Sequence, residues 1–219
     1  MNTIQRLHTE QEQSVWQDDI SRALLANGAL QQAIDMGVRG VTSNPSIFQK
    51  AIAGSDAYDK DIQAQLGAGK SAAEIFRTVA VKDIQDACDL FRPIFDESNG
   101  TDGFVSIEVL PSLARDTQGT MDNARVLWAA VDRPNVMIKV PGTEEGVPAI
   151  RTLVAEGVNI NITLLFSLQN YERVAVAYIE AQEERLAKGL PVTGIASVAS
   201  FFVSRVDTLA DKQLDEVIA

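Results

Sequence analysis

The sequence contains very few of the residues that enzymes use most often for nucleophilic or metal chemistry. Its 219 residues include one cysteine, Cys88, and one histidine, His8. One cysteine cannot form a disulfide within the chain, and the acidic neighbours of Cys88 disfavour a reactive thiolate. A single histidine in a polar stretch excludes a Ser-His-Asp or Cys-His arrangement and a multi-histidine metal site. Acidic side chains are therefore the main candidates for moving protons.

Positive charge is also scarce. Lysine and arginine number 19 against 30 aspartates and glutamates, which gives a formal net charge of -11. This balance argues against nucleic acid or an anionic membrane surface as the main partner, although a local basic site can still bind a small anion. The chain also lacks a signal-peptide pattern and a run of roughly 20 apolar residues. A cytoplasmic location is predicted.

Strand-like and helix-like segments alternate along nearly all of the chain. The predicted strands are SVWQDD, VRGVTSN, GFVSIEVL, NVMIKVP, NINITLLFS and GIASVASFFVS, and a helical pattern follows each of them. This alternation predicts parallel strands joined by helical crossovers. The first helix is predicted from Ile20 to Met36, and a later helical region is predicted to break at GAGK and resume at Ser71. Because no linker or repeat interrupts the pattern, one domain is predicted over residues 1–219.

Two architectures fit this order, an open doubly wound sheet and a closed (β/α)₈ barrel. The glycine-rich patterns of nucleotide-binding open sheets, G-x-G-x-x-G and G-x-x-x-x-G-K-[ST], do not occur. Alternation instead places Ser106 and Glu108 on one face of the third strand, and Asn159, Asn161 and Thr163 on one face of the fifth. In a barrel such faces converge at the C-terminal mouth. The pattern favours a (β/α)₈ barrel with only six of its eight units, and therefore predicts a chain that is incomplete at its C-terminal end.

The segment NVMIKVP, residues 135–141, places a lysine inside an apolar run. A short apolar run closed by a proline predicts a strand that is buried on both faces. Burial disfavours the charged form of Lys139, and the neutral amine can attack a carbonyl to form a Schiff base. The alternatives are a lysine that reaches solvent and a buried ion pair with Glu108 or Asp18. The spacing alone leaves these interpretations open.

Two carboxylates could accompany this lysine. Glu108 ends the third predicted strand, and Asp18 follows the first. Schiff-base chemistry needs one carboxyl group that moves protons to and from water, and a second that takes the proton of a substrate hydroxyl as a bond breaks. The alternative is that both are helix caps or ion-pair partners, and Asp19 could equally cap the first helix.

Three uncharged polar residues lie near the ends of predicted strands. Asn161 and Thr163 belong to the fifth strand, and their types suit hydrogen bonds to substrate hydroxyls or to a catalytic water. Asn44 follows the second strand and precedes a proline, so turn formation is its alternative role.

Ser200 and Arg205 bracket the end of the sixth predicted strand. An arginine near a helix N-terminus can bind a phosphate group, assisted by free backbone N–H groups. The alternative is a surface ion pair with Asp207 or Asp211.

Six blocks of this sequence resemble the transaldolase family and occur in that family's order. They are VWQDDISR, GVTSNPSIFQKAI, FVSIEVLPSLARDT, VMIKVPGTEEGVPAI, NINITLLFS and VASFFVSR. The resemblance extends from about Ile4 to the end of the chain, and it is closest to the longer bacterial and cyanobacterial-type branch. The lysine block and the TSNPS block are its most specific parts.

The resemblance implies a (β/α)₈ barrel that transfers a dihydroxyacetone unit between sugar phosphates in the pentose phosphate pathway. The implied donors are sedoheptulose 7-phosphate and fructose 6-phosphate, and the implied acceptors are glyceraldehyde 3-phosphate and erythrose 4-phosphate. Lys139 matches the Schiff-base lysine, Glu108 the glutamate that acts through a water, and Asp18 the aspartate that deprotonates the donor hydroxyl. The residues that match substrate-binding positions are Asn44, Asn161, Thr163, Ser200 and, for the phosphate, Arg205. No metal and no organic cofactor is implied.

Two rival interpretations remain at this point. An enzyme like fructose-6-phosphate aldolase would share Lys139 but release free dihydroxyacetone. A catalytically inert fragment would neither transfer nor release a dihydroxyacetone unit. The predicted partners are small sugar phosphates, without nucleic acid or membrane, and self-association into a homo-oligomer is left open.

Overall fold

The computed structural model describes residues 1–218. Within this range the chain forms two compact units. The first contains Met1–Leu110 and Arg125–Ile138, and the second contains Pro111–Ala124 and the chain from Lys139 onwards. Both units alternate strands with helices, which confirms the predicted α/β class.

The first unit contains three complete strands and the start of a fourth. The strands are β1 Val15–Gln17, β2 Val38–Val41 and β3 Val105–Glu108, and β4 begins at Val136. They are neighbours in this order, and the β1–β2 and β2–β3 pairs are parallel. The helices are α1 Thr3–Gln11, α2 Arg22–Ala26, α3 Ala29–Asp35, α4 Pro45–Ala53, α5 Asp59–Gly67 and α6 Ala72–Glu97, with a 3₁₀ helix at Asp56–Tyr58.

The second unit continues the same alternation. Its strands are the remainder of β4, which ends at Pro141, followed by β5 Ile160–Leu165 and β6 Ser197–Phe201. They too are neighbours in chain order, and the β5–β6 pair is parallel. The helices are α7 Thr117–Val131, which begins in this unit and ends in the first, α8 Gly146–Glu156, α9 Leu168–Ala187 and α10 Val203–Ile218, with a 3₁₀ helix at Pro111–Leu113.

The long helix α6 forms much of the core of the first unit. Ser71 caps its N-terminus, as the break predicted at GAGK requires, and the Glu74 side chain bonds back to the Ser71 N–H. One face of the helix is apolar and buried, and it includes Cys88. Burial, with a smaller effect from Asp89, raises the pKa of the Cys88 thiol. The thiol is therefore part of the packing rather than a nucleophile.

The N-terminal third of the chain differs from the sequence prediction in two ways. The predicted helix Ile20–Met36 is two helices, α2 and α3, because Gly28 adopts a left-handed conformation with φ +77° between them. Helix α1 was not predicted, because its residues are largely polar. It forms with a capping box in which the Asn2 and Gln5 side chains each bond the other's backbone N–H.

None of the helices within residues 1–218 combines the length and apolar composition needed to cross a bilayer.

Gly103 and Gly28 offer a matched test of how tightly α6 packs against the start of β3. Both have positive φ, +78° and +77°, but a Cβ on Gly103 would lie 2.5 Å from the Phe95 nitrogen, whereas a Cβ on Gly28 would meet nothing within 4 Å. Gly28→Ala is expected to lower the free energy of unfolding by roughly 1–2 kcal/mol, the usual cost of left-handed backbone. Gly103→Ala is expected to cost roughly 3 kcal/mol or more, because a steric clash adds to it. If urea unfolding showed the same decrease in the free energy of unfolding for both variants, the tight packing at Gly103 would be contradicted.

A partly buried charged cluster joins α2 to α6. The Arg22 guanidinium donates to Asp83 Oδ1 at 3.0 Å and to Asp61 Oδ2 at 2.7 Å. The Tyr58 hydroxyl donates to Asp83 Oδ2 at 2.8 Å and accepts the Arg22 backbone N–H at 2.9 Å. Burial raises the pKa of Asp83, while the bonds from Tyr58 and Arg22 act in the opposite direction. Burial also raises the pKa of Tyr58 to about 12.

Tyr58→Phe is expected to lower the free energy of unfolding by about 1–3 kcal/mol at neutral pH, because Asp83 and the Arg22 N–H each lose a partner. This difference should shrink as the pH rises from about 10 to about 12. In that window an unfolded tyrosine ionises while folded Tyr58 keeps its proton, so only the wild type loses this contribution. Urea unfolding at pH 8 and pH 11 measures both effects, with the exposed Tyr171→Phe as the control. A difference that does not change with pH would contradict this account.

Candidate functional site

In the first unit, three of the predicted site residues lie at one edge of the sheet. The register pairs Gln17 with Val41, so the C-terminal ends of β1 and β2 lie side by side, and it pairs Val41 with Val105, the first residue of β3, so that Glu108 lies three residues further along. Asp18 follows β1, Asn44 follows β2 and Glu108 ends β3. The carboxyl ends of parallel strands are where α/β proteins place their chemistry.

Backbone and side-chain bonds fix this edge. The Thr42 N–H donates to the Gln17 carbonyl at 2.9 Å, which joins the ends of β1 and β2. The Ser43 hydroxyl donates to the Ser106 carbonyl at 2.6 Å, and both residues are fully buried. The segments that carry Asp18, Asn44 and Glu108 are therefore anchored to the sheet.

Asn44 is the N-cap of α4. Its Oδ1 accepts the Ile47 N–H at 3.0 Å, and Pro45 occupies the first helical position. The structure thus gives Asn44 a helix-capping role, whereas the alternative considered from the sequence was turn formation. Because the cap uses the oxygen, the Nδ2 group has no hydrogen-bond partner among residues 1–218 and can still donate to a ligand.

The two carboxylates differ in their surroundings. Asp18 is exposed, whereas Glu108 is partly buried. Asp19 does not cap α2, the start of the first predicted helix. The cap of α2 is Ser21, whose hydroxyl accepts the Leu24 N–H at 3.3 Å. The interpretation of Asp19 as that cap is wrong.

Thr42 is a candidate that the sequence analysis missed. Its Oγ1 is buried at this edge and has no hydrogen-bond partner within residues 1–218. Buried hydroxyl groups are almost always paired, so an unpaired one beside Asp18 and Asn44 suggests contact with a bound molecule. Its position at the start of the TSNPS block was the available signal, but strand periodicity gave no reason to select it.

In the second unit, Lys139 lies in a strand that is buried along its whole length. All six residues of β4 are buried, and Lys139 is 6% exposed. The strand and the burial predicted from NVMIKVP are confirmed. The end of β4 is joined to β5 by the Gly142 N–H, which donates to the Thr163 carbonyl at 2.8 Å.

Asn161 and Ser200 are brought together in this unit. The Ser200 hydroxyl donates to Asn161 Oδ1 at 2.8 Å, and this bond fixes the orientation of a side chain that is 1% exposed. Thr163, on the same strand, is equally buried. By contrast, Asn159 Oδ1 accepts the Ala196 N–H at 2.9 Å and so helps to hold β5 to β6.

The C-terminal end of β5 has an unusual backbone. Leu164 has φ +61°, and the β5–β6 register shifts between Ile162 and Leu165. A left-handed leucine is strained, and such strain is often found at functional sites. The kink changes the direction in which Thr163 and Leu165 project. Nothing in the local sequence marks this residue, so sequence analysis could not have found it.

Arg205 lies in the first turn of α10 and is exposed. Its guanidinium lies 4.6 Å from the centroid of the Phe202 ring, and within residues 1–218 it forms no ion pair with Asp207 or Asp211. The Phe202 N–H donates to the Leu165 carbonyl at 2.9 Å. Arg205 therefore presents its charge at the C-terminal ends of β5 and β6.

A comparison with known families identifies the fold. The family described as Transaldolase/Fructose-6-phosphate aldolase matches residues 15–218. The chain belongs to this family. The six strand–helix units are thus those of a (β/α)₈ barrel family, as the sequence predicted.

Individual relatives support the same assignment. The chain is 50% identical over 205 residues to a transaldolase of Trichodesmium erythraeum, which covers 93% of this chain and 54% of the relative. It is 47% identical over 211 residues to transaldolase 2 of a Nostoc species, covering 96% and 55%. It is 49% identical over 203 residues to a transaldolase of Thiobacillus denitrificans, covering 92% and 56%. The chain spans about half the length of the curated relatives it matches.

Proposed function

We propose that this chain carries the Schiff-base chemistry of a transaldolase, which moves a dihydroxyacetone unit from a ketose phosphate to an aldose phosphate. The main support is the identity of about half of its residues to proteins named transaldolase, over more than nine tenths of its length. The burial of Lys139 in β4 supports the same proposal, since Schiff-base chemistry requires an amine that is shielded from solvent.

Lys139 is proposed to attack the C2 carbonyl of the ketose through Nζ. Loss of the carbonyl oxygen as water leaves a protonated imine, which withdraws electrons from the C3–C4 bond. When the C4 hydroxyl gives up its proton, that bond breaks, an aldose departs, and the three-carbon unit stays on the lysine as an enamine. Addition of the enamine to a second aldose and hydrolysis of the imine complete the transfer.

The carboxylates are proposed to move the protons of this cycle. Asp18 takes the proton of the C4 hydroxyl, and Glu108 moves protons to and from the water that leaves and returns at C2. Their position at one anchored sheet edge supports these roles, because proton transfer requires groups held at fixed positions.

The uncharged residues are proposed to hold the three-carbon unit. Asn161, Thr163 and Ser200 are polar groups towards the ends of β5 and β6, and Asn44 has an Nδ2 donor with no partner within residues 1–218. Arg205 is proposed to bind the substrate phosphate, because its charge meets no carboxylate within residues 1–218 and lies at a helix start.

Two measurements on the purified chain test the proposal. In the first, fructose 6-phosphate is supplied with and without erythrose 4-phosphate, and sedoheptulose 7-phosphate is expected only when the acceptor is present. In the second, borohydride is added with fructose 6-phosphate, and a reduced three-carbon adduct is expected on Lys139 by peptide mass spectrometry.

The outcomes separate the proposal from its rivals. Free dihydroxyacetone without an acceptor would favour the aldolase described in the family name over the transferase. The absence of both product and adduct would contradict the proposed function for this chain. An adduct on a different lysine would refute the role of Lys139.

A further inference from the structure

The backbone changes handedness at Leu164, inside strand β5. Within residues 1–218, four residues other than glycine have positive φ, and three of them lie within two residues of a helix end, Glu12, Asn99 and Asp132. Left-handed residues are common at such ends. Leu164, with φ +61°, lies inside the strand instead and has no polar side chain that could bond its own backbone. The contacts around it must therefore impose the conformation.

Hydrogen bonds to both neighbouring strands hold the residues on either side of Leu164. The Thr163 carbonyl accepts the Gly142 N–H at 2.8 Å, next to the end of β4. The Leu165 carbonyl accepts the Phe202 N–H at 2.9 Å, next to the end of β6. Leu164 itself is 39% exposed and is the one exposed residue of β5. What is fixed at this position is therefore the backbone rather than the side chain.

Tight packing between β5 and the end of β4 follows the left-handed residue. A Cβ on Gly142 would lie 2.6 Å from Leu165 Cδ2, and Leu165 is fully buried, so its methyl group has little room to move. Position 142 therefore requires a residue without a side chain. Gly142 lies three residues after Lys139, so this contact sets how closely the end of the lysine strand approaches β5.

We propose that Leu164 is a positioning residue for the reaction proposed above. Its left-handed backbone fixes the directions of Thr163, which carries a hydroxyl of the site, and of Leu165, which packs against the end of the strand that carries Lys139. The inference rests on the proposed function, because Lys139 and Thr163 take their roles from it. A displacement of about 1 Å between reacting groups greatly lowers the rate, so this turn should affect the chemical step more than substrate affinity.

Two substitutions at position 164 separate the backbone from the side chain. Valine keeps an apolar side chain but its branched Cβ disfavours positive φ, whereas asparagine adopts positive φ readily. Leu164→Val is expected to lower kcat, and the rate at which the borohydride-trapped adduct forms on Lys139, roughly tenfold with little change in KM. Leu164→Asn should stay within about twofold of the wild type. A purely structural role of the side chain predicts the reverse order, since asparagine removes more apolar surface.

The amide of Gly142 gives a readout that does not depend on the chemistry. Hydrogen exchange at this amide should be roughly tenfold faster in Leu164→Val, because its bond to the Thr163 carbonyl is weakened, and unchanged in Leu164→Asn. Leu186→Val, at an exposed position of α9, is the control and should alter neither exchange nor catalysis.

A second pair of variants tests the contact between Gly142 and Leu165. Gly142→Ala is expected to slow adduct formation roughly tenfold, because its Cβ meets Leu165 Cδ2. Adding Leu165→Val removes that methyl group and should restore most of the rate. This pair also decides the question if Leu164→Val does not fold, and thermal unfolding checks that each variant is folded.

The outcomes distinguish this proposal from the catalytic one. The positioning role is wrong if the wild type forms the adduct and Leu164→Val forms it equally fast, if Leu164→Asn is the slower of the two, or if Leu165→Val restores nothing to Gly142→Ala. Exchange at Gly142 that is the same in every variant would show that Leu164 does not hold the end of β4. A wild-type chain that forms no adduct would contradict the proposed function, and the catalytic role of Leu164 with it.

Discussion

Replacing Lys139 by methionine is expected to abolish both turnover and borohydride trapping. The amine is the only group in the proposed cycle that bonds covalently to the substrate, so no other side chain can replace it. Methionine has a similar length and no charge, and it enters a strand whose six residues are all buried. The folded state should therefore tolerate the change, with little loss or a gain in stability.

The control for this variant is Lys188→Met. Lys188 is an exposed lysine after α9 that pairs with Glu184, so its loss changes the net charge equally without touching β4. Sugar-phosphate transfer and adduct mass are measured for both variants, and thermal unfolding checks that each is folded. Residual transfer by a folded Lys139→Met protein above the level of a blank would refute the covalent role.

Glu108→Gln is expected to slow transfer by roughly 100-fold or more. Glutamine keeps the shape of the side chain at the end of β3 but cannot exchange a proton at neutral pH. Because Lys139 is still present, the adduct should form slowly and still reach completion. This separates a proton-transfer defect from a lost nucleophile.

The rate of adduct formation is the decisive measurement for Glu108. Glu172→Gln, an exposed carboxylate on α9, is the matched control and should behave as the wild type. A Glu108→Gln protein with a near-wild-type rate would remove Glu108 from the mechanism. A Glu108→Gln protein that forms no adduct at all would indicate that Glu108 is needed to position the substrate.

Much of the fold could be predicted because burial is encoded locally. NVMIKVP is apolar on both faces of a strand, and β4 is buried on both faces. The predicted restart at Ser71 is confirmed by a capping box, which needs only residues three positions apart. The prediction failed at Gly28, because a helical apolar pattern can continue across a residue whose φ is positive.

The partners of the polar site residues were less predictable. Ser200 and Asn161 were selected separately, but only the parallel pairing of β5 with β6 brings them within 2.8 Å. Arg205 was weighed between a phosphate and nearby aspartates, and the structure places it over the Phe202 ring. The strained Leu164 has no sequence signal, since leucine is not typical of positive φ.

The sequence by itself determined the alternation of strands and helices, the family and the candidate side chains, because residue type and spacing carry that information along the chain. Only the tertiary structure decided which polar groups meet, and that Thr42 Oγ1 has no hydrogen-bond partner within residues 1–218. Those facts depend on distances between strands that are far apart in sequence, and hydrogen bonds form only within a few tenths of an ångström of their preferred length.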